Sequence, residues 1–395
     1  MPKVTLRYLI ANSPRDTKPV IAVTSVSLIG ALTDSKSLAM SRFLPLFSQV
    51  VILFLSARAS SEVKEPTCQD NGNVTTLQRF GYNVCHYKGV LVEVTQSRFE
   101  DQLSLLDLCD LDLLEIRENA FKNVSTDTLH LDLGNRISVL KRESFRGLPN
   151  LKVLYLDSNV VPLSGHLFAD LRHLQLLSLM FNKIDSIPKD SFAGLSSLIW
   201  LYLGYNDIEA IEAESFSNLN PGVESLYLDK NKISRVAPDS FAGLTELNYL
   251  YLDYNQLEDL PSGAFRGLNK LKKLYLNDNR ITSVSRSLLR DLVGLERLYL
   301  QQNEISALEP DTFRDLSQLK HLNLSGNKLS HIVVGTFAGL SNLEDITLSD
   351  NGIHTVDNGT FADLVKLRYL YFGGNNFEID KEVSGLPHVT VITKL

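Results

Sequence analysis

Leu247–Asn255 reads LNYLYLDYN, Leu271–Asn279 reads LKKLYLNDN, and Leu295–Asn303 reads LERLYLQQN. One phrase, L-x-x-L-Y-L-x-x-N, recurs with a period of 24 residues. A fixed period of this size marks a stack of identical supersecondary units. The frame extends in both directions. Units begin at Leu151, Leu174, Leu198, Val223, Leu247, Leu271, Leu295, Leu319, Leu343 and Leu367, and two less regular ones precede them from Leu103. A solenoid grows by adding units, so the 395 residues do not call for separate globular cores.

Each unit has a physical reading. In L-x-x-L-x-L, positions four and six alternate with position five, which is strand periodicity, so the leucines point inward and position five points out. The later half of a unit, such as Ile184, Ile187, Phe192 and Leu195, returns on the far side and completes the core. That half holds Pro, Gly and Ser, which predicts turns and short 3-10 pieces. Position nine is Asn in unit after unit: Asn135, Asn159, Asn182, Asn206, Asn231, Asn255, Asn279, Asn303, Asn327, Asn351 and Asn375. A polar side chain at one fixed site predicts a buried ladder that satisfies backbone groups where the strand turns away. Ten residues later a phenylalanine column (Phe192, Phe216, Phe241, Phe265, Phe313, Phe337 and Phe361 among others) predicts a core spine, with Leu289 substituting once.

The pattern L-x-x-L-x-L-x-x-N-x-I-x-x-I-x-x-x-x-F-x-x-L resembles the 24-residue "typical" leucine-rich repeat of extracellular proteins, over about residues 103–392. The resemblance implies an α/β solenoid: a horseshoe with a parallel β-sheet on its concave face and turns or short 3-10 segments on the convex side. Relatives with this repeat type include Toll-like receptor ectodomains, Slit-like guidance proteins and small proteoglycans, which implies recognition rather than catalysis. Two departures stand out. The amino-terminal cap has fewer cysteines than the usual four, and no cysteine-rich cap follows Asn375.

The expected organisation begins with an extension without a structural role (1–39). A secretory signal (40–59) follows, then an amino-terminal cap (60–102), the repeats (103–375, about twelve), and a degenerate end (376–395). The signal rests on the apolar run Phe43–Leu55, preceded by Arg42 and followed by Ala57-Arg58-Ala59. Thirteen residues are short for a span of about 20 but suit a signal core. The alternative is an uncleaved anchor at 43–55; no carboxy-terminal membrane anchor is expected. In an oxidising compartment Cys68 and Cys85 are expected to pair, with Cys109, on the exposed strand side, as a thiol, an intermolecular link or the true partner of Cys85. Sequons at Asn73, Asn123, Asn323 and Asn358 fit a secreted glycoprotein, and Asn323 alone occupies position five.

Position five runs Tyr202, Tyr227, Tyr251, Tyr275 and Tyr299 over five successive units. At about 4.8 Å per strand this forms a ladder roughly 20 Å long, which either pairs across strands or faces a partner. Leu176, Met180, Phe181, Ile199, Trp200, Tyr205, Tyr249 and Tyr254 fall in the neighbouring columns, so an aromatic partner-binding surface is expected here. Beyond it, Lys272, Lys273, Arg297, Lys320 and His321 among Glu296, Glu344 and Asp345 predict a solvated charged face.

The formal charge is −7, which disfavours nucleic acid as partner. No catalytic motif occurs. A thiol pair of Cys109 with His86 or His130 lacks a third orienting group in sequence. Asp157, Asp229, Asp253, Asp278 and Asp350 at positions seven or eight read as polar turns rather than a calcium site. No cofactor and no metal are expected. The reading is a secreted recognition module binding a protein through its concave face. The alternatives are a self-associating matrix protein, including a possible homodimer, and a non-catalytic subunit of a larger complex.

Overall fold

The computed structural model describes residues 4–13, 16–28, 75–79, 81–96, 104–122, 124–386 and 389–392. The chain divides into two units, Met1–Pro66 and Thr67–Leu395. Within the first, β1 (Val4–Ser13) and β2 (Asp16–Leu28) form an antiparallel hairpin, with Leu6 opposite Val26 and Ile10 opposite Ile21. Part of the 1–39 extension therefore carries secondary structure, where the sequence suggested no structural role. Residues 40–59 and the signal expected there lie outside the described residues.

The second unit opens on β3 (Thr75–Arg79), β4 (Tyr82–Tyr87) and β5 (Val90–Gln96), an antiparallel meander. Strand β5 pairs parallel with β7 (Glu115–Ile116) on the returning side of the first repeat. Tyr82, Val84, Leu91 and Val94 are buried there, so the cap seals the first end of the core.

The solenoid sheet takes one three-residue strand from each unit. Its members are β6 (Leu105–Asp107), β8 (Thr128–His130), β9 (Val153–Tyr155), β10 (Leu176–Ser178), β11 (Trp200–Tyr202) and β13 (Ser225–Tyr227). It continues through β15 (Tyr249–Tyr251), β16 (Lys273–Tyr275), β17 (Arg297–Tyr299), β18 (His321–Asn323), β20 (Asp345–Thr347), β22 (Tyr369–Tyr371) and β23 (Thr390–Ile392). These thirteen strands form one sheet in sequence order. Register is strict: Leu201 faces Leu226, which faces Leu250, which faces Leu274. The cause is the fixed period, since any slip by one residue would turn every leucine out of the core.

On the far side the chain returns mostly through turns. Short parallel pairs form between β12 (Ala210–Ile211) and β14 (Arg235–Val236), and between β19 (His331–Ile332) and β21 (Thr355–Val356). The phenylalanine spine stacks from unit to unit, with centroids 6.2 Å apart for Phe192 and Phe216 and 5.8 Å for Phe216 and Phe241. Where Leu289 replaces phenylalanine, one helical turn, α1 (Arg286–Leu289), fills the place, and the Ser285 side chain accepts from the Leu288 N–H as its cap. A second short helix, α2 (Lys381–Ser384), lies in the last unit.

Asparagine ties each strand end to its neighbours. Asn206 Nδ2 donates to the carbonyls of Leu179 (2.9 Å) and Leu203 (3.0 Å), while its Oδ1 accepts from the N–H of Asn182 and Ile184. The ladder is buried from Asn135 to Asn327, and half-buried at Asn351 and Asn375. At the first repeat Leu111 stands in the asparagine position, and its N–H is met by Asn135 Oδ1 from the next unit.

Candidate functional site

The outward face of the sheet carries two aromatic columns with different fates. Position five is a closed stack. Ring centroids stand 4.3 Å apart for Tyr202–Tyr227 and for Tyr227–Tyr251, 4.4 Å for Tyr251–Tyr275 and 4.6 Å for Tyr275–Tyr299. Neighbouring rings lie within 13° of parallel. Each ring covers the next, so Tyr202, Tyr227, Tyr251 and Tyr275 are buried, and only Tyr299 at the end is half-exposed. This corrects the expectation that the whole column presents itself to a partner. Leu176 is buried as well and leaves the surface. Burial raises the hydroxyl pKa values of all four buried tyrosines, so the stack stays neutral.

Position eight is the open column. Phe181 and Tyr254 are 41% and 49% exposed, and Tyr205 between them is half-exposed. Phe181 stacks on Tyr205 with centroids 4.3 Å apart. Lys230 Nζ stands 4.5 Å from the Tyr205 centroid and 5.1 Å from that of Tyr254, and it donates to the Tyr205 hydroxyl at 2.5 Å. Four consecutive units thus build a row Phe181–Tyr205–Lys230–Tyr254, bound by stacking and cation–π contact. Trp200, Tyr249, Met180 and Ile199 flank it, each half-exposed, and Lys273 approaches the Tyr249 ring at 5.8 Å.

The backbone under this row is informative. Phe181, Tyr205, Lys230 and Tyr254 have φ of 58°, 56°, 53° and 55°. The same turn is filled elsewhere by Ser158, Asp278, Gln302, Gly326, Asp350 and Gly374, so the positive φ belongs to the repeat. Gly and Asp tolerate the left-handed region, whereas a bulky residue costs about 1–2 kcal/mol there. Four units in succession accept that cost for side chains that do not serve the core. The sequence groups these residues by column but does not show the strain; the signal available is the contrast with the Ser, Asp, Gln and Gly at the equivalent places.

Beyond Tyr299 the face becomes ionic. Glu296 bridges Lys320 (2.9 Å) and Lys272 (3.3 Å), and these bonds, Lys320 first, hold its carboxyl below the usual range. His321 meets Asp345 at 2.6 Å. Asn323, at position five of β18, sits in register between Tyr299 and Thr347, and its Oδ1 accepts from the N–H and hydroxyl of Ser325. Asn358 is exposed in a turn after β21. Asn73, Asn123 and Cys68 lie outside the described residues.

Cys109 differs from expectation. It is 2% exposed rather than on an open surface, and its thiol donates to Asp132 Oδ1 at 3.4 Å. His130 Nδ1 lies 3.1 Å from the same oxygen. Asp132 is thus the third group that the sequence did not name, and its Oδ1 meets both the thiol and the imidazole.

Comparison with known proteins agrees with this architecture. Matches to the description "Leucine rich repeat" cover residues 101–161, 127–184, 172–220, 221–281, 269–329 and 326–377. Among solved structures, the TLR13–ssRNA13 complex superposes with a TM-score of 0.67 at 26% identity, over 74% of this chain and 43% of that one. The chain thus spans less than half of that relative. A leucine-rich repeat protein of Leptospira interrogans gives a TM-score of 0.51 at 23% identity, over 71% of this chain and 78% of its own. An internalin of Listeria monocytogenes gives 0.54 at 21%, over 74% and 87%. No curated protein matches the chain.

Proposed function

This chain belongs to the leucine-rich repeat family, and from that premise we propose that it is an extracellular recognition module that binds a protein through the Phe181–Tyr205–Lys230–Tyr254 row. The observation that carries this reading is the row itself: exposed aromatic side chains, held on strained backbone in consecutive units, over a rigid stacked floor. Rings already fixed by neighbours lose little freedom on binding, and aromatic residues dominate hot spots. Lys230 amid the rings suits a partner that offers a carboxylate beside an apolar side chain. Trp200, Tyr249, Met180 and Ile199 form the rim of the same site.

Secretion is part of the proposal. It is supported by the apolar run Phe43–Leu55 and by the exposed sequon at Asn358. No helix among the described residues is long and apolar enough to cross a membrane. The Cys68–Cys85 pairing in the cap belongs to the same reading, with Cys85 buried in β4. A glycan on Asn323 would confine the partner to the strands before β18.

The relative solved with ssRNA13 raises a second ligand class. The carboxylates of Asp229, Asp253 and Asp278 accompany the row, and the chain is acidic overall, so phosphates meet repulsion rather than a basic stripe. The experiment is capture from conditioned medium on the immobilised full chain, with Phe181→Ala/Tyr254→Ala as comparison and single-stranded RNA as competitor. Proteins retained by the wild type, lost on the double variant and indifferent to RNA are expected. Equal retention by both forms removes the row as the site.

A further inference from the structure

Away from the aromatic row, the first two repeats bring three different metal-ligating atoms together. Cys109 follows β6, while His130 ends β8 and Asp132 follows it. Cys109 Sγ, a His130 ring nitrogen and an Asp132 carboxylate oxygen all lie within 4.8 Å of one another. Two of the separations are shorter, 3.4 Å from Sγ to Oδ1 and 3.1 Å from Nδ1 to Oδ1. Around a tetrahedral zinc ion, with bonds of about 2.0–2.3 Å, ligand atoms stand roughly 3.3–3.7 Å apart. The cluster is already near that spacing.

The surroundings hold the ligands in place. Strand register sets His130 opposite Asp107 on one side and Tyr155 on the other. The Tyr155 ring packs on the imidazole at 4.6 Å, and Asp107 Oδ1 accepts from the Cys109 N–H at 2.9 Å. The thiol is inside, whereas the side chains of His130 and Asp132 are 30% and 17% exposed, so an ion can enter from the concave face. One sulfur, one imidazole and one carboxylate suit a borderline-soft divalent ion and disfavour magnesium or calcium, which take oxygen.

We propose that Cys109, His130 and Asp132 form a zinc site that clips the first repeat to the second and leaves a fourth coordination position open to the concave face. In the ion-free arrangement Asp132 Oδ1 accepts hydrogen bonds from the Cys109 thiol and from His130 Nδ1–H. On binding, the thiol proton leaves to solvent as Sγ becomes a ligand, and the His130 proton on Nδ1 is exchanged through solvent for one on Nε2, so that a neutral ring coordinates through Nδ1. The clip acts where the asparagine ladder has no side chain of its own, since Leu111 occupies that position.

The test uses the full chain without a histidine tag, kept reduced, with zinc or cobalt alone as the probe. One zinc per chain is expected by calorimetry. At a large excess over Kd a rise in Tm of about 3–5 °C is expected. Cobalt should give a thiolate-to-metal charge-transfer band in the near ultraviolet. C109S should abolish that band, and both C109S and H130Q should lose the zinc-dependent rise in Tm. His130 is partly exposed, so H130Q decides the question if C109S does not fold. No charge-transfer band in the folded wild type, or a zinc response unchanged in H130Q, would overturn the site.

Discussion

Asn255 shows what one residue does in this protein. Its Nδ2 donates to the carbonyls of Leu228, Leu252 and Asp253 at 3.0, 3.1 and 3.3 Å, and its Oδ1 accepts from the Ile233 N–H at 2.9 Å. Two units are joined through one amide. Asn255→Ala leaves those buried groups unmet, so urea unfolding should show a loss of about 1–3 kcal/mol. The same change at half-exposed Asn375 should cost less, because water reaches the vacated groups; equal losses would contradict the ladder account. Asparagine was legible in sequence because only a structural need keeps a polar residue at one fixed offset. The exposure of Tyr227 was not. Alternation along a strand tells which side a ring leaves from. It does not tell whether the next ring covers it. In parallel, in-register strands about 4.8 Å apart, identical flat side chains stack, and that stacking is a property of neighbours rather than of the residue.

At the scale of the element, the strand ends of β9 and β10 enclose a half-buried acid, Asp157. Asp157 Oδ1 accepts from the Ser178 hydroxyl at 2.5 Å and from the Met180 N–H at 2.8 Å. Burial pushes its carboxyl up to about 7, against the opposing effect of the Ser178 hydrogen bond, and Asp132 adds to the rise. The ordinary value is 3.8, so the folded chain binds a proton between about pH 4 and 7 that the unfolded chain has released. Stability should therefore fall as pH rises through that window and level off above it. The slope is at most about 1.4 kcal/mol per pH unit. Asp170, Asp315 and Glu296, whose carboxyls are held low by Arg142, Arg286 and Lys320, act in the opposite sense and only at more acidic pH. Asp157→Asn keeps the acceptor and should flatten the profile between pH 4 and 7 in chelator-treated protein. An unchanged profile would contradict the raised pKa of Asp157. The sequence pattern placed Asp157 in a polar turn, because the hydroxyl and N–H that enclose it come from the following unit.

For the whole molecule, the period decided most of what the sequence could reveal. Strand, turn, inward leucines and the phenylalanine spine all follow from one 24-residue frame, and each unit is stable only through its neighbours. The cap strands β4 and β5 were recognisable between Val84 and Val94, whereas the pairing of β5 with β7 needs the three-dimensional return of the first repeat. Meeting places between repeats were also hidden. Cys109 and Asp132 belong to different units, and a repeat read alone cannot contain their contact. The concave face is therefore divided by packing: a sealed tyrosine floor, an open aromatic row beside it, a thiol cluster at one end and ion pairs at the other.

That division yields the most direct test. Phe181→Ala and Tyr251→Ala remove similar rings from the same face, and both urea stability and partner capture from conditioned medium can be measured for each. Phe181→Ala should shift stability by no more than about 0.5 kcal/mol, as an exposed position does, and should lose the captured protein. Tyr251→Ala should cost about 3–5 kcal/mol by opening a gap between Tyr227 and Tyr275. A stable Tyr251→Ala protein, or a Phe181→Ala protein that keeps its partner, would contradict the account.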